Sequence, residues 1–131
     1  MTRRLSFLCC ALLATSAVAA KPRAPEGTWS SARCGARGYE RRITFAADGT
    51  FTAQDRVSPC PEGVVCVWSG VINRGGTYTL KGTTLRLAAE APAPGATVAD
   101  LPATMSWKKG VLAEPQAGRA CTYRPFRQPA P

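Results

Sequence analysis

From residue 27 onward, apolar and polar positions recur with a period of two rather than 3.6, the spacing of strands that bury one face. The clearest stretch is 39–57. Tyr39, Arg41, Ile43 and Phe45 alternate with Glu40, Arg42, Thr44 and Ala46, and Phe51-Thr52-Ala53-Gln54-Asp55-Arg56-Val57 resumes the alternation. Between them Ala47-Asp48-Gly49-Thr50 supplies a turn in which Asp-Gly accepts positive φ at little cost, so the pattern predicts a hairpin. Residues 64–72 are apolar on both parities (Val64, Trp68, Ile72; Val65, Val67, Val71). They predict a covered strand, turned by Arg74-Gly75-Gly76. Residues 77–80 and 83–87 around Lys81-Gly82 predict a further hairpin.

Residues 88–96 (AAEAPAPGA) have no periodicity and read as a loop, with a short helix expected near 97–101. Strands follow in 102–109 (Met105, Trp107), in 111–113 beyond a Lys109-Gly110 turn, and in 121–124. No helical pattern of any length interrupts the series. The expected fold is all-β: a single antiparallel up-and-down β-barrel of about eight strands, with a two-sheet β-sandwich as the alternative.

The first twenty residues depart from this pattern. A basic start (Arg3, Arg4), an apolar stretch and small residues at Ala17, Ala19 and Ala20 are the three parts of a secretory signal peptide. The expected layout is a signal over 1–20, a flexible leader over 21–26, the barrel over 27–125 and a Pro-rich tail over 126–131. The destination is then the periplasm or the medium. Apart from this segment, no apolar run is long enough to span a membrane as a helix.

Export gives the cysteines a meaning. Beyond the signal remain Cys34, Cys60, Cys66 and Cys121, an even set that reads as two disulfides in an oxidising compartment. No two of them have the two-to-four-residue spacing of zinc ligand pairs, so no metal is expected. Cys60 and Cys66 bracket the turn-forming Pro61-Glu62-Gly63, which favours a local bridge and leaves Cys34 for Cys121. That second bridge would tie the first strand to the last.

Gly27-Thr28-Trp29 at the first strand resembles the G-x-W that opens lipocalin-type barrels of the calycin group. The run from Trp68 to Leu87 (WSGVINRGGTYTLKGTTLRL) resembles the consecutive hairpins of small bacterial lipocalin-like envelope proteins. The resemblance implies that Trp29 packs at the closed barrel end beneath an Arg of the final strand, here Arg124 or Arg119. The chain is shorter than those barrels and has no helix pattern over 111–121.

Charge and chemistry complete the picture. The 131 residues contain 17 Lys and Arg, 8 Asp and Glu and no His, for a net charge of +9. Without His, a Ser-His-Asp triad, a Cys-His pair and a histidine base are all excluded. Ser106-Trp107-Lys108 lacks the S-x-x-K spacing. Most carboxylates fall in turns or on outward positions; Asp55 alone shares parity with Phe51 and Val57. An Arg41–Asp55 pair across the hairpin is expected at the barrel rim, snorkelling to water, with an inward, ligand-orienting pair as the alternative. No enzyme activity and no cofactor are expected.

Arg33, Arg37, Arg41 and Arg42 near the first strands, and Arg119, Arg124 and Arg127 near the last, would form one basic patch if Cys34 meets Cys121. Export disfavours nucleic acid as its partner and points to an anionic envelope polymer or lipid. Trp29, Trp68, Trp107, Tyr39, Tyr78, Tyr123, Phe45 and Phe51 either fill the barrel or line a cavity for a small apolar molecule. The expected function is an exported, non-catalytic binding module. Its candidate ligand residues are Trp29, Tyr39, Arg41, Arg42, Asp55, Trp68, Tyr78, Trp107 and Arg124. The alternative is a secreted inhibitor of a protease or other protein that presents the Cys60–Cys66 loop.

Overall fold

The computed structural model describes residues 23–96, 98 and 100–128 of the chain. The expected signal peptide, part of the 97–101 helix and the end of the tail lie outside the described residues.

Eight strands follow one another: β1 (Gly27–Ser31), β2 (Glu40–Phe45), β3 (Thr50–Arg56), β4 (Val71–Lys81), β5 (Thr84–Ala89), β6 (Thr104–Lys108), β7 (Val111–Glu114) and β8 (Cys121–Pro125). Each pairs antiparallel with its sequence neighbour, and β8 returns to β1 through Trp29↔Pro125 and Ser30↔Arg124, closing a barrel. Closure removes the free edges that an open sheet would expose. The period-two pattern is what fills it. Arg41, Ile43 and Phe45 of β2 face Asp55, Ala53 and Phe51 of β3 inside, while Thr44 and Thr52 lie outside.

The turns follow their residues. Gly49 (φ 88°) completes the β2–β3 turn, and Asp48 Oδ1 accepts hydrogen bonds from Thr50 N (2.9 Å) and Thr50 Oγ1 (2.6 Å). Those bonds favour the ionised carboxylate and hold its pKa below the ordinary value. At the β6–β7 turn both Lys109 (φ 52°) and Gly110 (φ 76°) are left-handed, as a two-residue turn of the primed type requires.

One expectation fails here. Residues 64–70 are not a covered strand, and Gly75-Gly76 is not a turn; β4 runs unbroken from Val71 to Lys81. Gly76 sits opposite Phe51 in the β3–β4 register. A Cβ at Gly76 would stand 2.8 Å from the Phe51 ring and collide with the Ala88 carbonyl oxygen. The glycine is there because the backbone of β5 and the Phe51 ring both close over it, which is a tertiary requirement and not a turn signal.

The two ends of the barrel differ. Short turns (46–49, 82–83, 109–110) close one end, where residues 23–26 also pack: Pro25 is buried and Ala24 lies against the core. Longer segments (32–39, 57–70, 90–103, 115–120) crown the other. No helix is assigned among the described residues.

Candidate functional site

The long-loop end is sealed from within by charge. Cross-strand register places Arg41 opposite Asp55, and both side chains are completely buried. Arg41 Nε donates to Asp55 Oδ1 at 2.6 Å and Nη2 to Oδ2 at 3.2 Å, a two-pronged pair. From β4, Arg74 Nη2 donates to Asp55 Oδ2 at 2.6 Å. Arg41 Nη1 also reaches the Asp100 carbonyl at 3.2 Å and lies 3.7 Å from Glu114. Burial works against the charge on Arg41, but the hydrogen bond and attraction to Asp55 outweigh it and hold its pKa above the ordinary value.

Glu114 of β7 is the second buried acid. It accepts from Tyr123 Oη at 2.6 Å and Gln116 Nε2 at 3.0 Å, with Arg37 Nη2 at 3.8 Å. Burial, then the charge and hydrogen bond of Glu114, push the Tyr123 phenol well above its usual range. Arg37 locks the β1–β2 loop through the carbonyls of Ser31 (3.2 Å), Ala32 (3.1 Å) and Tyr39 (2.7 Å). Three guanidiniums and two carboxylates thus occupy the interior. The Arg41–Asp55 pair expected at the rim is instead deep inside, because Arg74 and Glu114 supply the partners that snorkelling to water would otherwise have provided. The oxygens of Asp55 are thus taken by two arginines and shut from solvent.

The aromatic residues divide between core and loop. Trp29, Phe45, Phe51, Tyr78 and Tyr123 are buried. Phe45 meets Tyr78 edge-on at 5.0 Å, and Tyr78 Oη donates to the Ala46 carbonyl at 2.6 Å. Trp29 is capped by Trp107, edge-on at 5.2 Å, and its Nε1 donates to the Pro25 carbonyl at 3.2 Å. The Arg expected over Trp29 is absent from that position: Arg124 and Arg119 point outward and are exposed. Together with Ile43, Leu85, Met105 and Leu112, these rings occupy the interior themselves. Tyr39 is half-buried in the β1–β2 loop, and Trp68 is 58% exposed.

The expected basic patch also divides. Arg37 and Arg41 are inside. Arg42 is held by Glu40 (2.7 and 3.2 Å) and stacks on Phe126 at 3.9 Å; Arg56 lies 3.5 Å from the same Glu40. The hydrogen bond from Arg42, with that from Ser30 and the nearby charges, outweighs partial burial and lowers the Glu40 pKa. Arg33, Arg119 and Arg124 remain together around an open cleft of about 390 Å³ along the β1–β8 seam. The Cys34–Cys121 disulfide (Cα–Cα 5.8 Å) forms part of its wall. Arg127 lines a separate cleft with Arg42 and Phe126.

The remaining feature is the 57–70 segment. Ser58 N donates to the Gly70 carbonyl (3.0 Å) and Cys60 N to the Ser69 carbonyl (3.1 Å), so the ladder of β3 and β4 continues into the base of the loop. Above it the Cys60–Cys66 disulfide closes the tip (Cα–Cα 6.0 Å). Val64 N donates to the Pro61 carbonyl at 3.3 Å across a turn whose third residue, Gly63, has φ 76°, the position that favours glycine in a type II turn. Val65 and Val67 are fully exposed, Val64 56% and Trp68 58%. Four of the five exposed large hydrophobic residues of the described chain are on this loop; the fifth is Val111.

Of the residues singled out from sequence, Trp29, Tyr78 and Trp107 join the core, Arg41 and Asp55 the sealed network, and Arg42 the outer face. Trp68 and Arg124 stand at two separate exposed places. Arg37, Arg74 and Glu114 were not legible as interior residues. Arg74 stood in an apparent turn, Arg37 lies in a loop without periodicity, and Glu114 fell one residue beyond the strand expected over 111–113. No known protein family, no curated protein and no solved structure matches the chain.

Proposed function

We propose that the protein is an exported, non-catalytic binding module that inhibits or docks onto a partner enzyme through the stapled 58–70 loop. The observation that carries this reading is the placement of apolar surface. The barrel buries its own aromatic and aliphatic residues, while Val64, Val65, Val67 and Trp68 project together from a loop closed by a disulfide and clamped at its base. Such a cluster costs solvation free energy when bare and gains it in an apolar cleft. A loop already held in shape loses less conformational entropy on binding. Trp68 is of the residue type most enriched among those that carry binding energy at protein interfaces, and the three valines beside it add apolar area that excludes water.

The sequence layout of a signal peptide and the two disulfides support an extracytoplasmic setting. Gly27-Thr28-Trp29 on β1, with Trp29 buried, supports reading the barrel as a shortened lipocalin-like one that presents a loop in place of enclosing a ligand. The partner we infer is a secreted peptidase with a pocket for valine-sized side chains, because Val64 and Val65 head the loop.

Titration against serine peptidases selective for small aliphatic residues tests this. Competitive inhibition by the oxidised protein, weakened at least 100-fold by Val65→Asp or by Cys60→Ser with Cys66→Ser, is the expected result. Cleavage of the loop as an ordinary substrate, without inhibition, contradicts the reading.

A further inference from the structure

We infer that the cleft between β1 and β8 is a binding site for a phosphomonoester group, held by Arg33, Arg119 and Arg124. The inference does not depend on the loop reading, since it uses different residues on a different part of the surface.

Charge allocation comes first. The interior carboxylates engage Arg37, Arg41 and Arg74, and Glu40 engages Arg42 and Arg56. Among the described residues, Arg33, Arg119 and Arg124 form no ion pair. No Asp or Glu lines their cleft. Glu40 shares Ser30 and Arg33 with an adjoining hollow, yet it is already occupied by Ser30 Oγ at 2.7 Å and by its two arginines. Three like charges are therefore gathered without a counter-charge. An anion of charge −2 in the cleft would supply the missing counter-charge.

Arg33 comes from the β1–β2 loop, Arg119 from the β7–β8 loop and Arg124 from β8 itself. They are distant in sequence and are brought together by barrel closure and by the Cys34–Cys121 bridge. The β1–β2 loop is fixed by the disulfide and by the buried Arg37 with its three carbonyl partners, and Arg124 by its place on β8. The volume of about 390 Å³ suits a phosphorylated sugar-sized group. Guanidinium forks match phosphoryl oxygens two by two, and a phosphomonoester, with three terminal oxygens and a charge of about −2, offers more partners to three forks than one singly charged carboxylate does. Thr122, exposed on the cleft wall, adds a hydroxyl.

Calorimetric titration of the full chain with inorganic phosphate and glucose 6-phosphate, and flotation with phosphatidylcholine vesicles containing phosphatidic acid, test the site and distinguish a soluble from a lipid source. Binding to the soluble phosphates places the site's ligand in solution; binding to the vesicles alone places it on a lipid headgroup. In either case Arg119→Gln and Arg124→Gln should each weaken binding at least fivefold. Arg86→Gln, an exposed arginine on β5, should leave it unchanged. Failure to bind any of these probes overturns the inference. So does equal loss in Arg86→Gln, which would mean that overall charge alone attracts the anion.

Discussion

Asp55 holds two buried arginines from two different strands, so its removal strands two charges at once. Replacing it with Asn should cost about 3–5 kcal/mol in urea unfolding, because a buried guanidinium left without its counter-charge retains its desolvation penalty. Glu40, about a third exposed, binds Arg42 and Arg56 in contact with water. Its Gln variant should lose less than about 1 kcal/mol. Equal effects would mean that the Asp55 network is open to solvent. Tyr123 provides a pH signature with a definite sign. Its phenol ionises well above the ordinary tyrosine value of about 10. Above that pH the unfolded chain releases a proton that the folded chain keeps. The stability tied to this group is therefore complete below about pH 10 and is lost as pH rises toward the raised value. Unfolding midpoints should fall between about pH 10 and 12, and less steeply in Tyr123→Phe.

At the scale of elements, the legible parts were those where local and tertiary demands coincide. The 39–57 hairpin was readable because Asp48-Gly49 makes its turn while Ile43, Phe45, Phe51 and Ala53 keep one parity toward the core. The 64–72 run misled because its valines satisfy an apolar pattern without being covered; nothing local distinguishes a buried strand from a loop held out by a disulfide. Gly75-Gly76 misled because the reason for Gly76 is the close approach of the Ala88 backbone and the Phe51 ring on the neighbouring strands. Gly76→Ala should accordingly cost about 1–3 kcal/mol through overpacking. Lys109→Asn should add about 0.5–1 kcal/mol, since Asn tolerates the left-handed conformation that Lys109 adopts at φ 52°. Chemical denaturation of both variants checks the pair, and a destabilising Lys109→Asn would argue against the turn as described.

For the whole molecule, the two disulfides have separable roles. Cys34–Cys121, 87 residues apart, ties the first loop to the last strand across the barrel seam, while Cys60–Cys66, six apart, shapes the loop alone. Chain entropy assigns about 4.6 kcal/mol to the first and about 2.4 kcal/mol to the second. Thermal unfolding of the paired Ser variants should follow that order. Of the candidate site, the cysteine pairing was legible from spacing, and with it the meeting of Arg33 with Arg119 and Arg124, whereas the outward position of the last two was not, since one of them was expected over Trp29. The separation of Arg37 and Arg41 from Arg33, Arg119 and Arg124 was not, because it depends on which guanidiniums find a buried carboxylate.

The central claim is that this barrel presents apolar surface on its loop and does not enclose an apolar ligand. Methyl nuclear magnetic resonance during titration with a small uncharged apolar probe, such as N-phenyl-1-naphthylamine, reads both places in one experiment. The account predicts shift changes confined to Val64, Val65 and Val67, with the methyls of Ile43, Leu85 and Leu112 unmoved. Saturable shifts at those interior methyls, with the loop valines unchanged, would contradict it.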